Sequence, residues 1–159
     1  MIDVLTEFES IVKKHSNSMY RLLIAYCRNT SDAEDILQNT FLKLYQSNKV
    51  FKSEVHIKNW LYMVAVNEAK NVKKNHWSNY KEIPEEIVFH TPEQKYLYEE
   101  IERLSDKLRI VILLYYYEEY SIREIAKILQ IKESAVQTRL QRARERLEEF
   151  LKEEQVSGK

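Results

Sequence analysis

One glycine and two prolines in 159 residues leave this chain few means of making tight turns. A sheet protein needs a turn every few residues, and turns draw heavily on Gly and Pro. The scarcity therefore predicts an all-α fold with few connections. The one glycine, Gly158, stands at the tail, which excludes glycine-rich phosphate loops and dinucleotide-binding fingerprints.

Apolar periodicity divides the chain into helices. From Glu7 to Cys27, the residues Phe8, Ile11 and Val12 and then Met19, Leu22, Leu23 and Tyr26 mark one stripe, although the polar run His15–Ser18 leaves its continuity open. A second helix is expected from Ser31 to about Gln46. Ser31 and Glu34 would form its capping box, and Asp32, Glu34 and Asp35 suit the positive end of the helix dipole. Ser47 to Val55 is polar and reads as a loop. A third helix covers about Ile57 to Lys74, with Trp60, Leu61, Val64 and Ala65 apolar and Lys70, Lys73 and Lys74 at its C-terminal end. The period is lost between Trp77 and His90, around Pro84. Thr91-Pro92 then restarts a helix with a cap and a first-turn proline. Further helices are expected at about 92–103, 106–117, 121–129 and 133–151. The organisation is two small helical domains joined by a flexible linker: residues 1–77, a linker at 78–91, and a second domain at 92–155.

Lysine plus arginine equals aspartate plus glutamate, 25 each, and zero net charge argues at first against a nucleic-acid partner. The distribution of charge along the chain argues the other way. Lys58–Trp77 holds four lysines against one glutamate, and Lys132–Leu147 five basic residues against two acidic. Between them, Lys81–Asp106 holds eight acidic residues against three basic. Two basic faces around an acidic middle suit a protein that touches DNA in two places, with weak binding on its own because few counterions are released. The single cysteine, Cys27, sits in the apolar run LLIAYC and is expected to be a buried, inert thiol. No run of about eighteen apolar residues marks a membrane span. The acidic N-terminus MIDVLTEFES is no signal peptide, and a cytoplasmic location follows by default. His15, His56, His76 and His90 lack metal-ligand spacing and no catalytic set emerges, so no metal, cofactor or enzymatic chemistry is expected.

Three constellations carry functional information. Ser121 to Leu147, SIREIAKILQIKESAVQTRLQRARERL, has the layout of a helix-turn-helix. Its first helix opens on a Ser121–Glu124 capping box and buries Ile122, Ile125, Ala126 and Leu129, Ile131 fills the turn, and its second helix buries Val136, Leu140, Ala143 and Leu147. Gln137, Thr138, Gln141, Arg142 and Glu145 face away from that stripe, and Arg139, Arg144 and Arg146 widen the polar surface. Arg142 has the reach for guanine and Gln137 or Gln141 for adenine, with Arg139 and Arg144 better placed for phosphates. The competing reading is a solvated surface helix. In DAEDILQNTFLKLY, residues 32–45, Asp35, Gln38, Phe41 and Leu42 share a face that suits protein docking, or equally a solvated face over core. In KNWLYMVAVNEAKNVKKNHW, residues 58–77, aromatic and basic residues interleave as single-stranded nucleic acid requires, although Trp60 also fits a core position.

These three segments, in this order, resemble the extracytoplasmic-function class of bacterial sigma factors over about residues 5–150. The resemblance implies that the first domain, region 2, binds the coiled coil of the β′ subunit of RNA polymerase core enzyme and opens the −10 promoter element. The second, region 4, would read the −35 element and contact the β flap. By position, Asp35, Gln38, Phe41 and Leu42 fall in the β′-docking motif. Ser47 to Lys58 matches the loop that captures a flipped −10 base, and Lys58, Trp60, Asn67, Lys70 and Lys74 make up the −10 set. Gln137, Thr138, Arg139, Gln141, Arg142 and Arg144 make up the −35 set. An anti-sigma factor covering both domains is implied as a further partner beside the polymerase and promoter DNA.

The chain departs from the family pattern in places. Lys132 replaces the usual Ser or Thr cap, which weakens that helix start. Ser134 stands where Gly is usual, Gln137 where Lys or Arg is common, and Asn71 where Asp is frequent. These changes bear on the DNA sequence preferred rather than on the role. The residues alone leave two other readings open. One is a helix-turn-helix regulator that binds a palindromic operator as a dimer. The other is a helical adaptor that uses Tyr115, Tyr116, Tyr117 and Tyr120 for protein contacts.

Overall fold

The computed structural model of the chain describes residues 1–74 and 98–157, with side chains described through Lys73 and from Tyr98 to Glu153. The chain divides into two compact units, Met1–Ile83 and Pro84–Lys159. The expected linker at 78–91 and the Thr91 cap lie outside the described residues.

In the first unit α1 runs Val4–Cys27, α2 Thr30–Gln46 and α3 Glu54–Lys74. α1 begins earlier than its periodicity predicts because Asp3 caps it, accepting from the Leu5 N–H and the Thr6 hydroxyl, each at 3.1 Å. It is also continuous through His15–Ser18. His15 is buried, and the Ser18 hydroxyl donates to the His15 carbonyl at 3.3 Å while accepting from Tyr62 of α3 at 3.0 Å. The polar run thus finds partners along the helix and across to α3, which removes the reason for a break.

The cap of α2 is a correction. Asn29, not Ser31, holds that end: its buried side chain accepts from the Asp32 N–H at 3.0 Å. Ser31 therefore lies inside the helix, and Glu34 accepts instead from the Tyr20 hydroxyl at 3.3 Å. The expected loop at 47–55 contains a two-residue strand, β2 (Val50–Phe51), paired antiparallel with β1 (Ile2–Asp3) in the register Ile2 opposite Phe51. α3 starts just beyond it, where the Ser53 hydroxyl accepts from the His56 N–H at 3.2 Å. The core joins Met19 and Leu23 of α1, Ile36 and Leu44 of α2, and Leu61, Tyr62 and Val66 of α3, with Cys27 buried as expected. Each such side chain contributes roughly 1.5–3 kcal/mol on burial, so packing rather than helix propensity holds these helices.

The second unit contains α4 (residues 98–102), α5 (Asp106–Ile112), α6 (Ile122–Leu129) and α7 (Glu133–Ser157). Arg109 anchors the corner between α4 and α5. It is 1% exposed, and its two terminal nitrogens donate to the Leu104 carbonyl and the Asp106 carboxylate, both at 2.6 Å. The planar fork satisfies a chain carbonyl and a charge at once. α5 does not continue regularly to residue 117 as expected. Leu113–Tyr117 is a π-helical turn, closed by Glu118 N–H on the Leu113 carbonyl at 3.2 Å.

α6 opens on the expected capping box. Ser121 Oγ accepts from Glu124 N–H at 3.1 Å, and the Glu124 carboxylate accepts from Ser121 N–H at 3.0 Å. Its buried face is Ile125, Ala126, Ile128 and Leu129, while Ile122, at the helix start, stays partly exposed. The helix ends on Gln130 in the left-handed region, with Ile131 N–H reaching back to the Ala126 carbonyl at 3.0 Å. α7 buries Val136, Leu140 and Ala143, and then Phe150, with Leu147 only partly covered. Arg103 lies 3.9 Å from the Phe150 ring centre and pairs with Glu153 at 3.1 Å. Among the described residues no helix is long and apolar enough to cross a membrane.

Candidate nucleic-acid interface and docking face

Helices α6 and α7 form the helix-turn-helix. Val136 N–H donates to the Lys132 carbonyl at 3.1 Å, so Lys132 holds the cap position with a side chain that offers no acceptor. At about 100° per residue, the arc of α7 opposite Val136, Leu140 and Ala143 is centred on Thr138, Gln141 and Glu145, with Arg142 beside them. Gln137 and Arg144 lie along one edge of that arc, Arg139 and Arg146 along the other.

Gln137, Thr138, Gln141, Arg142 and Arg144 are exposed and Arg139 is partly buried. Thr138 donates its hydroxyl to the Ser134 carbonyl at 2.9 Å, and Gln141 donates to Glu145 at 3.2 Å. Arg142 has no hydrogen bond or ion pair among the described residues. Arg144 is tied down. Its Nε donates to the Tyr116 hydroxyl at 2.8 Å, and its guanidinium lies 5.6 and 5.7 Å from the ring centres of Tyr115 and Tyr116. Arg146 pairs with Glu149 at 3.2 Å and lies over Phe150.

The tyrosine run does not form one face. Tyr116 is exposed, Tyr115 and Tyr117 are partly buried, and Tyr120 is buried. Burial pushes the Tyr117 hydroxyl up to about 12. The Tyr120 hydroxyl is raised further, by burial first and then by the charges of Glu118 and Glu124. The continuous tyrosine surface that an adaptor would need is absent.

On α3, helical spacing places Trp60, Asn67, Lys70 and Lys74 along the side away from the core residues Leu61, Ala65 and Ala69. Trp60 and Asn67 are partly exposed and Lys70 is exposed, while the Lys74 side chain lies outside the described ones. Trp60 meets Phe51 edge to face at 5.8 Å, Lys49 lies 5.6 Å from the Trp60 ring centre, and Phe51 meets His56 at 5.0 Å. Lys49 and Phe51 come to Trp60 from the segment that the β1–β2 pair holds beside α3, and His56 meets Phe51 from the first turn of α3 itself. Lys58 is a correction. It sits on the opposite side of the helix, with its ammonium 5.9 Å from the Tyr62 ring centre and its charge acting on His15 of α1. It does not join Trp60, Asn67, Lys70 and Lys74, because two residues of helix turn it about 200° from Trp60.

On α2, Asp35, Gln38 and Leu42 are exposed and continue into Tyr45, Leu42 and Tyr45 each at 52%. Phe41, expected beside them, is 7% exposed. It lines an apolar groove of about 450 Å³ between α1 and α2, together with Phe8, Val12, Leu37 and Tyr45, with Gln38 and Leu42 at its margin. The Phe8 and Tyr45 rings pack edge to face there at 5.2 Å. Among the described residues no group of His, Cys, Asp or Glu is placed to hold a metal ion.

Two family models match the chain in sequence order. Residues 11–79 match Sigma-70 region 2, and residues 94–147 match Sigma-70 region 4. The chain is 29% identical to the ECF RNA polymerase sigma factor SigW of Bacillus subtilis, across 92% of this chain and 89% of that protein. It is 24% identical to the RNA polymerase sigma-H factor of Pseudomonas aeruginosa, across 91% and 86%. Among solved structures it is similar to the sigma factor RpoE in complex with the anti-sigma factor NepR from Bartonella quintana. The TM-score is 0.73 at 21% identity, covering 92% of this chain and 97% of that one, a likeness of fold.

Proposed function

The chain belongs to the sigma-70 family, in its extracytoplasmic-function class, and from that premise we propose how its two units divide the work. As a sigma factor it directs promoter-specific transcription initiation by RNA polymerase. In this proposal residues 1–77 serve as region 2 and residues 92–155 as region 4, with 78–91 joining them. The α2 stripe of Asp35, Gln38 and Leu42, backed by Phe41, docks on the β′ coiled coil of the core enzyme. The outward side of α3 then takes one strand of the opened −10 element, with Trp60 as a stacking surface, Asn67 for base edges, and Lys70 and Lys74 for phosphates. Lys58 moves out of that set and supports the packing of α1 on α3.

α7 enters the major groove of the −35 element. Arg142, Gln137, Thr138 and Gln141 face base edges, while Arg139 and Arg144 face the backbone on either side. The second unit also meets the β flap. The polymerase supplies the chemistry, so the chain acts as a recognition subunit rather than as an enzyme, and it works in the cytoplasm. The fold it shares with a sigma factor held by an anti-sigma factor supports an inhibitor of that kind as a partner.

The observation that carries this reading is the exposed arc of α7, with Arg142 unpartnered among the described residues, inside the stretch that matches region 4. The test is run-off transcription with core polymerase on genomic fragments. The wild-type chain is expected to give discrete starts from non-palindromic promoters. Asp35→Arg with Gln38→Ala is expected to abolish them by loss of core binding in a pull-down, without change in circular dichroism, because both side chains are exposed. Promoter-specific starts at wild-type level from that double variant would reject the docking assignment, and no starts from the wild type would reject the function.

A further inference from the structure

The π-helical turn after α5 takes no part in the roles assigned above, yet two of its tyrosines hold Arg144 of α7 in place. The Tyr116 hydroxyl accepts the Nε hydrogen of Arg144 at 2.8 Å, across 28 positions of sequence. The Tyr115 and Tyr116 rings meet edge to face at 5.0 Å, and the guanidinium lies within 6 Å of both ring centres, at 5.6 and 5.7 Å. This packing restricts a side chain that otherwise samples many rotamers.

Two consequences follow from hydrogen-bond chemistry. With Nε engaged, both terminal nitrogens of Arg144 keep their hydrogens without an acceptor among the described residues. The phenol oxygen, acting as acceptor, still has its own hydrogen to donate. Both groups reach solvent, Tyr116 at 49% exposure. They sit at the edge of the exposed arc, where the DNA backbone flanks a helix lying in the major groove. The π-helical turn Leu113–Tyr117 brings Tyr116 to this place, and such turns recur at functional sites.

We infer that Tyr116 and Arg144 together form a preset clamp for one DNA phosphate beside the −35 reading helix, with Tyr116 both orienting the guanidinium and donating its own hydroxyl hydrogen to the phosphate. This inference rests on the −35 reading of α7.

The test measures binding of the holoenzyme to promoter duplexes mutated at each −35 position, at several salt concentrations, beside the melting temperature of the free chain. Tyr116→Phe keeps the ring and removes the hydroxyl. It is expected to weaken binding about 3–10-fold on every −35 sequence alike, with the melting temperature unchanged. Arg144→Ala is expected to lower the logarithmic salt slope by about 0.9, one phosphate's worth. The double variant is expected to lose less than the product of the two single losses, because both groups serve one phosphate. Arg142→Ala is the control for the underlying reading and is expected to relax preference at one −35 base pair. If Arg142→Ala relaxes that position while Tyr116→Phe leaves binding unchanged, or if the Tyr116 and Arg144 losses multiply independently, the clamp is rejected and the −35 reading stands. A Tyr116→Phe loss that follows a lowered melting temperature assigns the hydroxyl a structural role and also rejects the clamp. If no α7 or Tyr116 variant alters binding, the −35 reading itself fails.

Discussion

His15 shows how a single side chain changes meaning once the helices pack. In the sequence it belongs to a polar run that looks able to interrupt α1. In the fold it is buried against α3, and its imidazole is held below the usual 6.5, by burial first, then by the charges of Lys14 and Lys58, with Glu54 opposing. The folded chain therefore takes up this proton less readily than the unfolded chain. By linkage the neutral imidazole's contribution is complete above the unfolded value and is lost as pH falls below it. The free energy of unfolding in urea is expected to drop as pH falls through the unfolded value of 6.5, and His15→Gln is expected to remove most of that slope. An unchanged slope in the variant would place its origin in other groups. Lys58 shares this environment, on the side of α3 opposite Trp60. Arg142 was legible from spacing alone, because an exposed position opposite an apolar stripe needs no tertiary partner to define it.

At the scale of elements, the near absence of glycine has a measurable cost. Among the described residues, four that are not glycine stand in the left-handed region: Arg28 (φ 57), Asn48 (φ 53), Glu119 (φ 59) and Gln130 (φ 57). Gln130 closes α6 with the backbone bonds that glycine usually makes, and Glu119 lies just before the Ser121 cap. A side chain with a Cβ in this region costs about 1–2 kcal/mol, partly offset by the extra freedom a glycine has when unfolded. Glu119→Gly and Gln130→Gly are each expected to raise stability by about 0.5–1 kcal/mol, read from the urea midpoint. A lowered midpoint would mean that the lost side chain stabilises its turn by more than the strain costs. The Ser121–Glu124 box was readable because both partners lie within one turn of helix. The choice of Asn29 over Ser31 as a cap was not, because it depends on a buried side chain reaching the Asp32 N–H. The π-helical turn escaped the sequence for a similar reason: the apolar spacing of Leu113 and Leu114 fits an α-helix and a wider turn alike.

For the whole molecule, the division into Met1–Ile83 and Pro84–Lys159 implies that each half carries its own core. Leu23, Ile36, Leu61 and Val66 close the first, and Ile110, Leu114, Ile125, Val136 and Leu140 are buried in the second. Expressed separately, residues 1–83 and 84–159 are each expected to give a helical circular-dichroism spectrum and a cooperative thermal transition, the two spectra summing to that of the full chain. A fragment that melts without cooperativity would show that its core depends on the other half.

The all-helical class, the order of the three segments that carry the family resemblance and the exposed arc of α7 were determined by the sequence. Each depends on turn-forming residues or on spacing within a few turns of one helix, and such relations are written along the chain. The tertiary structure alone decided that Phe41 lines a groove with Phe8 of α1, that β1 braces the segment carrying Phe51, and that Tyr116 holds Arg144. Those outcomes join residues far apart in sequence. Periodicity states which side of a helix a residue occupies, and only packing states what waits for it there.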